Sequence, residues 1–294
     1  MTIRDLLATR RPTLSYELFP PRTPAAEESL ARTMDLLAAT GPDFMSVTYG
    51  ASGTTRETSR DAIHRLIEAT AVPALGHLTC VGQSRAELIG VVEAYLAEGV
   101  HDFLALRGDP PRGEDSWRPH PEGLLYASEL VTLIRDVAAA HGVDVSIGVT
   151  AFPAQHAVEG ERELGLTVLR AKRDAGADFA ITQVFYEADH YTALVEDAAA
   201  AGIDIPIIPE VMPLTTVRRA VRAQELTGVA TPPALLAALE SATDDDDARA
   251  IGVDFAARLS GELLDAGAPG IHIITFNQSA AALALVEAMA LVRD

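Results

Sequence analysis

The chain has 294 residues, 48% hydrophobic and 22% charged, so it can bury a large core as one α/β barrel or two smaller domains, and a mainly disordered protein is excluded. With 23 Lys+Arg against 42 Asp+Glu the formal net charge is −19, which argues against nucleic acid as a partner, because that affinity rests on neutralising phosphates. No run approaches the roughly 20 uncharged apolar residues that span a bilayer, and residues 1–5 open no signal peptide, so a cytoplasmic protein without membrane contact is expected.

Apolar, β-branched runs alternate with longer Ala/Leu/Glu/Arg stretches at helical spacing. The first strand is predicted over 13–19, stopped by Pro20-Pro21, and a helix over 24–40 with Thr23 as N-cap and Pro24 at its first position. Strand 43–48 leads through a Gly-Ala-Ser-Gly turn to a helix near 55–70. Strand 73–80, helix 84–98 and strand 101–106 follow. Residues 109–123, rich in Pro, Gly and charge, read as a loop. The pattern then resumes with helix 124–141, strand 143–149, helix 159–176, strand 178–184 and helix 187–201. A seventh strand spans 204–209, with helices at 215–227, 232–242 and 246–267, the acidic run 244–247 marking a helix start. Strand 270–275 and helix 279–292 finish the chain.

Eight strands, each followed by helix and joined without a linker, imply parallel βαβ units. The expected architecture is a single domain over 1–294, an α/β fold of the (β/α)8 TIM-barrel type with extra helices. No Gly-x-Gly-x-x-Gly follows the first strand, which removes the main support for a dinucleotide-binding doubly wound sheet.

A barrel places its chemistry at the C-terminal ends of its strands. The polar residues there are Glu17, Thr48, His77, Arg107, Asp109, Gln183 and Asn277. Glu17 lies inside an apolar strand, where desolvation raises a carboxyl's pKa and suits it to general-acid work at neutral pH; a carboxylate paired with an arginine for structure is the other reading. Gly108 permits close approach of a flat ligand and Asp109 can accept from ring N–H groups, unless the pair only makes a turn. His77 reads as a satisfied core histidine or a ligand contact, and His156 as a loop histidine open to ligand work. Cys80, the single cysteine, is expected as a buried thiol. The histidines show no metal-binding spacing, so no metal site is expected, and no nucleophile elbow or Walker sequence occurs. Lys172 is the single lysine, on a predicted helix, either a surface survivor or a group with a task.

Several segments in order carry a family resemblance. They are Ser15-Tyr16-Glu17-Leu18-Phe19-Pro20-Pro21-Arg22-Thr23, Ser46-Val47-Thr48-Tyr49-Gly50-Ala51, Gly76-His77-Leu78-Thr79-Cys80 and Leu106-Arg107-Gly108-Asp109. Tyr126-Ala127-Ser128, Asp174-Ala175-Gly176-Ala177, Ile181-Thr182-Gln183 and Ile207-Ile208-Pro209 complete the set. Nearly end to end, the chain resembles methylenetetrahydrofolate reductase of the bacterial single-domain kind. That resemblance implies a TIM barrel carrying FAD that reduces 5,10-methylenetetrahydrofolate to 5-methyltetrahydrofolate, with NADH or NADPH as donor in a ping-pong scheme. By the same resemblance Glu17 is the acid that protonates the folate N10, Asp109 contacts the pterin and tunes the flavin, and Gln183 binds folate. Thr48, His77, Arg107, Gly108, Tyr126, Ala127, Phe152, His156 and Lys172 fall on positions that hold FAD.

Departures from the family pattern gather around the cofactor. Phe152 stands where a tyrosine hydroxyl is usual, Gly165 replaces an aspartate for the FAD ribose, and Val168 an asparagine. Arg219 and Ala223 replace a glutamine and a stacking phenylalanine, and Gln278 stands for an arginine at the folate site. The same reaction without flavin, by direct hydride transfer from NAD(P)H or from a deazaflavin donor, is therefore the alternative, with a folate-binding barrel without turnover as the non-enzyme reading. A homo-oligomer is expected from the family.

Overall fold

A computed structural model describes residues 1–9, 11–49, 53–108 and 119–289. In chain order it runs α1 (Ile3–Leu7), β1 (Thr13–Leu18), α2 (Pro24–Ala38), β2 (Phe44–Val47), α3 (Gly53–Ala69), β3 (Ala74–Thr79), α4 (Arg85–Ala97) and β4 (Asp102–Leu106). Then come α5 (Ala127–Ala140), β5 (Ser146–Ala151), α6 (Pro153–His156), α7 (Arg162–Asp174), β6 (Phe179–Thr182) and α8 (Ala188–Ala200). The last part holds β7 (Ile207–Ile208), β8 (Glu210–Val211), α9 (Val217–Thr227), α10 (Pro233–Glu240), α11 (Asp245–Asp265), β9 (Gly270–Ile274) and α12 (Ser279–Met289).

Every strand pairing is parallel. The sheet order β7-β6-β5-β4-β3-β2-β1-β9-β8 begins and ends on one stretch of chain, residues 207–211, so the sheet curls into the (β/α)8 barrel that the alternation implies, with extra helices. The expected single strand over 204–209 is corrected to two short segments. Ile207 and Ile208 pair with β6, but Pro209 has no N–H to continue that ladder. Its carbonyl instead accepts the His272 N–H at 3.0 Å, and Glu210 and Val211 pair with β9.

Local signals explain the helix starts. The Thr23 hydroxyl accepts the Ala26 N–H at 3.2 Å with Pro24 at the first position, and Asp244 accepts the Asp247 N–H at 2.8 Å, so the acidic run does open a helix. Two helices were not expected, α1 and α6, of five and four residues. α1 closes the N-terminal end of the barrel. Its Ile3 N–H donates to Asp102 at 2.8 Å and its Arg4 N–H to the Ser146 hydroxyl at 3.1 Å.

Successive strand side chains face opposite sides, which builds two cores. Leu14, Tyr16 and Leu18 of β1 face outward and join the layer between strands and helices. Inside the barrel, Phe44, Leu75, Leu104, Phe179, Ile181 and Ile208 pack together under Ile3 and Leu7 of α1. Gly148 makes room for this plug, since a Cβ there would sit 2.6 Å from the Phe179 ring.

Candidate active site

Toward the C-terminal ends the barrel interior turns polar. Glu17, on the inward face of β1, is 8% exposed. Its Oε1 accepts a hydrogen bond from the Thr48 hydroxyl at the end of β2, and its carboxyl is hydrogen-bonded to that of Glu210 on β8. Burial pushes the Glu17 pKa up, against the downward pull of those two hydrogen bonds. Glu210 lies well above the ordinary carboxyl range, first from burial and then from the Glu17 charge beside it. The arginine-paired reading of Glu17 is thereby replaced, among the described residues, by a pairing of carboxyl with carboxyl.

Two histidines lie near this pair. His272, directly opposite Glu210 in the β8–β9 ladder, has its Nδ1 2.7 Å from the Ser15 hydroxyl and its Nε2 3.3 Å from that of Ser46. His77 on β3 is buried as a core histidine would be, yet among the described residues its Nε2 has no hydrogen-bond partner, and neither has the buried Thr79 hydroxyl two residues on. Burial depresses both imidazoles to a pKa of about 3, so both are neutral. One side-chain oxygen or nitrogen from each of Glu17, Glu210 and His272 lies within 4.8 Å of the others, and all three residues are buried.

Gly108, past the end of β4, adopts φ +85°, and a Cβ there would meet Val81 at 2.9 Å. Lys172 is no surface residue. It is 6% exposed, with Nζ donating to the Thr150 carbonyl at 2.7 Å and lying 5.6 Å from the centre of the Phe152 ring. Burial, then the neighbouring Arg107 charge, lower its pKa to about 8. Arg107 and Tyr126 are exposed, and Ala127 is buried at the start of α5. Cys80 is buried as expected, its thiol pushed up to about 12 by burial.

Other expected site residues stand apart. His156 lies in the short helix α6, not in a loop, with Nε2 2.7 Å from Asp197 of α8, which also pairs with Arg162. Its buried Nδ1 lacks a partner among the described residues. Gln183 is half-buried after β6, its side-chain oxygen accepting the Val184 N–H at 2.9 Å, and Gln278 is exposed beyond β9. Asp109 lies outside the described residues, as do Gly50 and Ala51 of the motif segments.

Sequence reasoning missed Glu210 and His272, and named Asn277 only as a rim residue. Phe276 and Asn277 both hold positive φ, 48° and 56°, a strained pair for non-glycine residues. The Asn277 side chain accepts the Phe19 N–H at 2.9 Å and donates to the Phe19 carbonyl at 2.8 Å. This sets the Phe276 ring over that of Phe19, 5.5 Å between centres, with the Arg219 guanidinium 5.8 Å from the Phe276 ring centre. Beside them opens a cavity of about 590 Å³ lined by Arg218, Arg219, Val221, Arg222, Glu225 and Phe276.

A parallel barrel with a protonatable carboxyl pair at its mouth belongs to the class of TIM-barrel enzymes, whose catalytic groups stand at the strand C-termini. Residues 2–290 match the model of the methylenetetrahydrofolate reductase family, and the chain belongs to that family. It is 34% identical over 267 residues to 5,10-methylenetetrahydrofolate reductase of Escherichia coli, covering 90% of this chain and 86% of that one. To methylenetetrahydrofolate reductase (NADH) 1 of Arabidopsis thaliana it is 31% identical over 302 residues. The chain spans about half the length of the plant relatives it matches, 50% in that case. Among solved structures, an uncharacterised Clostridium thermocellum protein that binds two copies of 5-methyl-5,6,7,8-tetrahydrofolic acid shares the fold. Its TM-score is 0.67 at 15% identity, over 98% of this chain and 97% of that one.

Proposed function

We propose that this chain reduces 5,10-methylenetetrahydrofolate to 5-methyltetrahydrofolate with NAD(P)H as hydride donor, through bound FAD, and that Glu17 is the general acid. The observation that carries this reading is a buried carboxyl with a raised pKa at the C-terminal end of β1, in a chain of this family. Glu17 gives its proton to N10 of the folate, the five-membered ring opens to an iminium, and the iminium carbon accepts hydride. The Thr48 hydroxyl holds Oε1 and so orients the carboxyl during that transfer. Gln183, Gln278 and Asp109 are assigned to the folate, and the Clostridium thermocellum protein's two bound folates support a pterin ligand for this fold.

The fit to FAD is uneven along the cofactor. His77 Nε2 and the Thr79 hydroxyl, both buried without partners among the described residues, and Gly108 close against Thr79 and Val81 suit a flat polar ring. Lys172, Arg107, Tyr126, Ala127, Phe152 and His156 would hold the rest. FAD, when bound, would take hydride from the nicotinamide and give it to the folate. On α7, however, Gly165 faces open space and Val168 is exposed, so neither offers a polar group to the adenosine half. That observation favours one second reading, direct hydride transfer from the nicotinamide to the folate.

A visible spectrum of the purified protein, followed by anaerobic NADH and then methylenetetrahydrofolate, separates the two. A flavin band that bleaches and recovers, with parallel initial-rate lines, is the expected result. A colourless protein that takes up no added FAD, yet oxidises NADH with folate along intersecting lines, would establish direct transfer.

A further inference from the structure

Glu210 plays no part in the chemistry above, yet it is 7% exposed and hydrogen-bonded to the residue assigned as the acid. Pro209 is what delivers it. By ending the pairing with β6, that proline lets residue 210 join β9 with its side chain inside the barrel mouth. The Glu210 N–H is fixed by donation to the Thr182 hydroxyl at 2.8 Å.

Among the described residues, Glu17 from β1 and His272 from β9 face the Glu210 carboxyl, while the Thr182 hydroxyl of β6 takes its backbone N–H. His272 is neutral, and no cation among the described residues contributes to the charge balance of either carboxyl. Two carboxylates in contact and out of water cannot both ionise at ordinary cost, so the pair retains one proton between them. The Thr48 hydroxyl donates to the Glu17 Oε1, which favours the ionised form of Glu17 and leaves the resting proton to Glu210.

We propose that Glu17 and Glu210 work as one acid with a single shared proton, Glu210 storing it and Glu17 delivering it to the substrate. The proposal rests on the reading of Glu17 as the general acid. The Glu210 O–H bond breaks as a Glu17 O–H bond forms along the existing hydrogen bond; the Glu17 O–H then breaks as N10–H forms. The pair is left doubly negative beside the iminium cation that ring opening creates, and that cation offsets the added charge until hydride arrives. A proton from water restores the pair. Glu210 acts through Glu17, so it is a positioning residue.

The test is the pH profile of turnover in wild type, Glu17→Gln and Glu210→Gln, with the infrared carboxyl C=O band followed in parallel. Glu210→Gln keeps the volume and a hydrogen-bond donor to Glu17 but holds no transferable proton. Its high-pH limb of kcat should move down by about one unit or more, an approximately tenfold loss of kcat above the limb, with folate and NADH affinity unchanged. In wild type a protonated-carboxyl band should persist at pH 8, where Asp102 with its pKa of about 6 has ionised, and Glu210→Gln should remove it. Glu17→Gln inactive but Glu210→Gln with the wild-type limb overturns this proposal alone. Glu17→Gln fully active overturns the acid reading, and this proposal with it. If Glu210→Gln does not fold, the wild-type band decides, and its absence at pH 8 overturns the shared proton.

Discussion

The two ends of the barrel interior are built on opposite rules. At the N-terminal end, Phe44, Leu75, Leu104, Phe179 and Ile208 pack under α1, and the polar groups there have partners, Asp102 with the Ile3 N–H and Ser146 with the Arg4 N–H. At the C-terminal end, His77 Nε2 and the Thr79 hydroxyl are buried without partners among the described residues, and two carboxyls lie against each other. An unpaired buried polar atom costs about 1–3 kcal/mol, and the lower end contributes the burial that offsets it. The chain thus concentrates stability where α1 seals the barrel and chemical potential where ligands enter, as the polarity of this fold leads one to expect.

Two substitutions should break that division cleanly. The larger effect is on chemistry: Glu17→Gln should lower kcat by about 10² to 10⁴, the usual contribution of a positioned acid, while leaving the melting temperature equal or higher. Stability should not fall, because the change removes a desolvated ionisable group. Steady-state kinetics beside thermal unfolding reads both, and a large loss of stability would show that Glu17 is part of the fold's support. Next comes Phe179→Ala at the other end. It should cost about 3–5 kcal/mol of unfolding free energy, measured by urea denaturation, with kcat per folded molecule little changed. If Phe179→Ala instead removed activity at constant stability, the two ends would not be separable.

The alternation of short apolar runs with helical stretches made the barrel legible, because each βα unit needs only local periodicity to be seen. The seventh strand position was misjudged, since Pro209 sits within an apolar run and the effect of its missing N–H depends on which neighbour is waiting. α1 and α6 are shorter than two helical turns and carry no periodic signal. Glu17 was conspicuous as a charge between Tyr16 and Leu18. His272, between Ile271 and Ile273, carried the same signal and could have been found by it. Glu210 had no such contrast. In Pro209-Glu210-Val211-Met212-Pro213 it reads as an exposed loop acid, and only closure of the sheet brings it to Glu17. The Lys172 assignment depended likewise on tertiary burial that a helix pattern does not show.

The smallest expected effect sharpens the comparison, because at the stable end burial sets the state of Asp102. Asp102 is held up to about 6 from 3.8 by desolvation, against hydrogen bonds from Ile3 and Ser146. Its folded pKa is the higher one, so the stability it contributes is complete below about pH 3.8 and is lost as pH rises through about 6. The full difference is at most about 3 kcal/mol. Asp102→Asn keeps an oxygen for the Ile3 N–H and does not titrate. Relative to wild type, its unfolding free energy should rise between pH 4 and pH 7 and then level off, the carboxyl pair at the mouth cancelling because both proteins contain it. Urea midpoints at pH 4, 5, 6, 7 and 8 measure this. Parallel curves for the two proteins would mean that Asp102 ionises without cost, and the N-terminal end would then be less sealed by α1 than its hydrogen bonds imply.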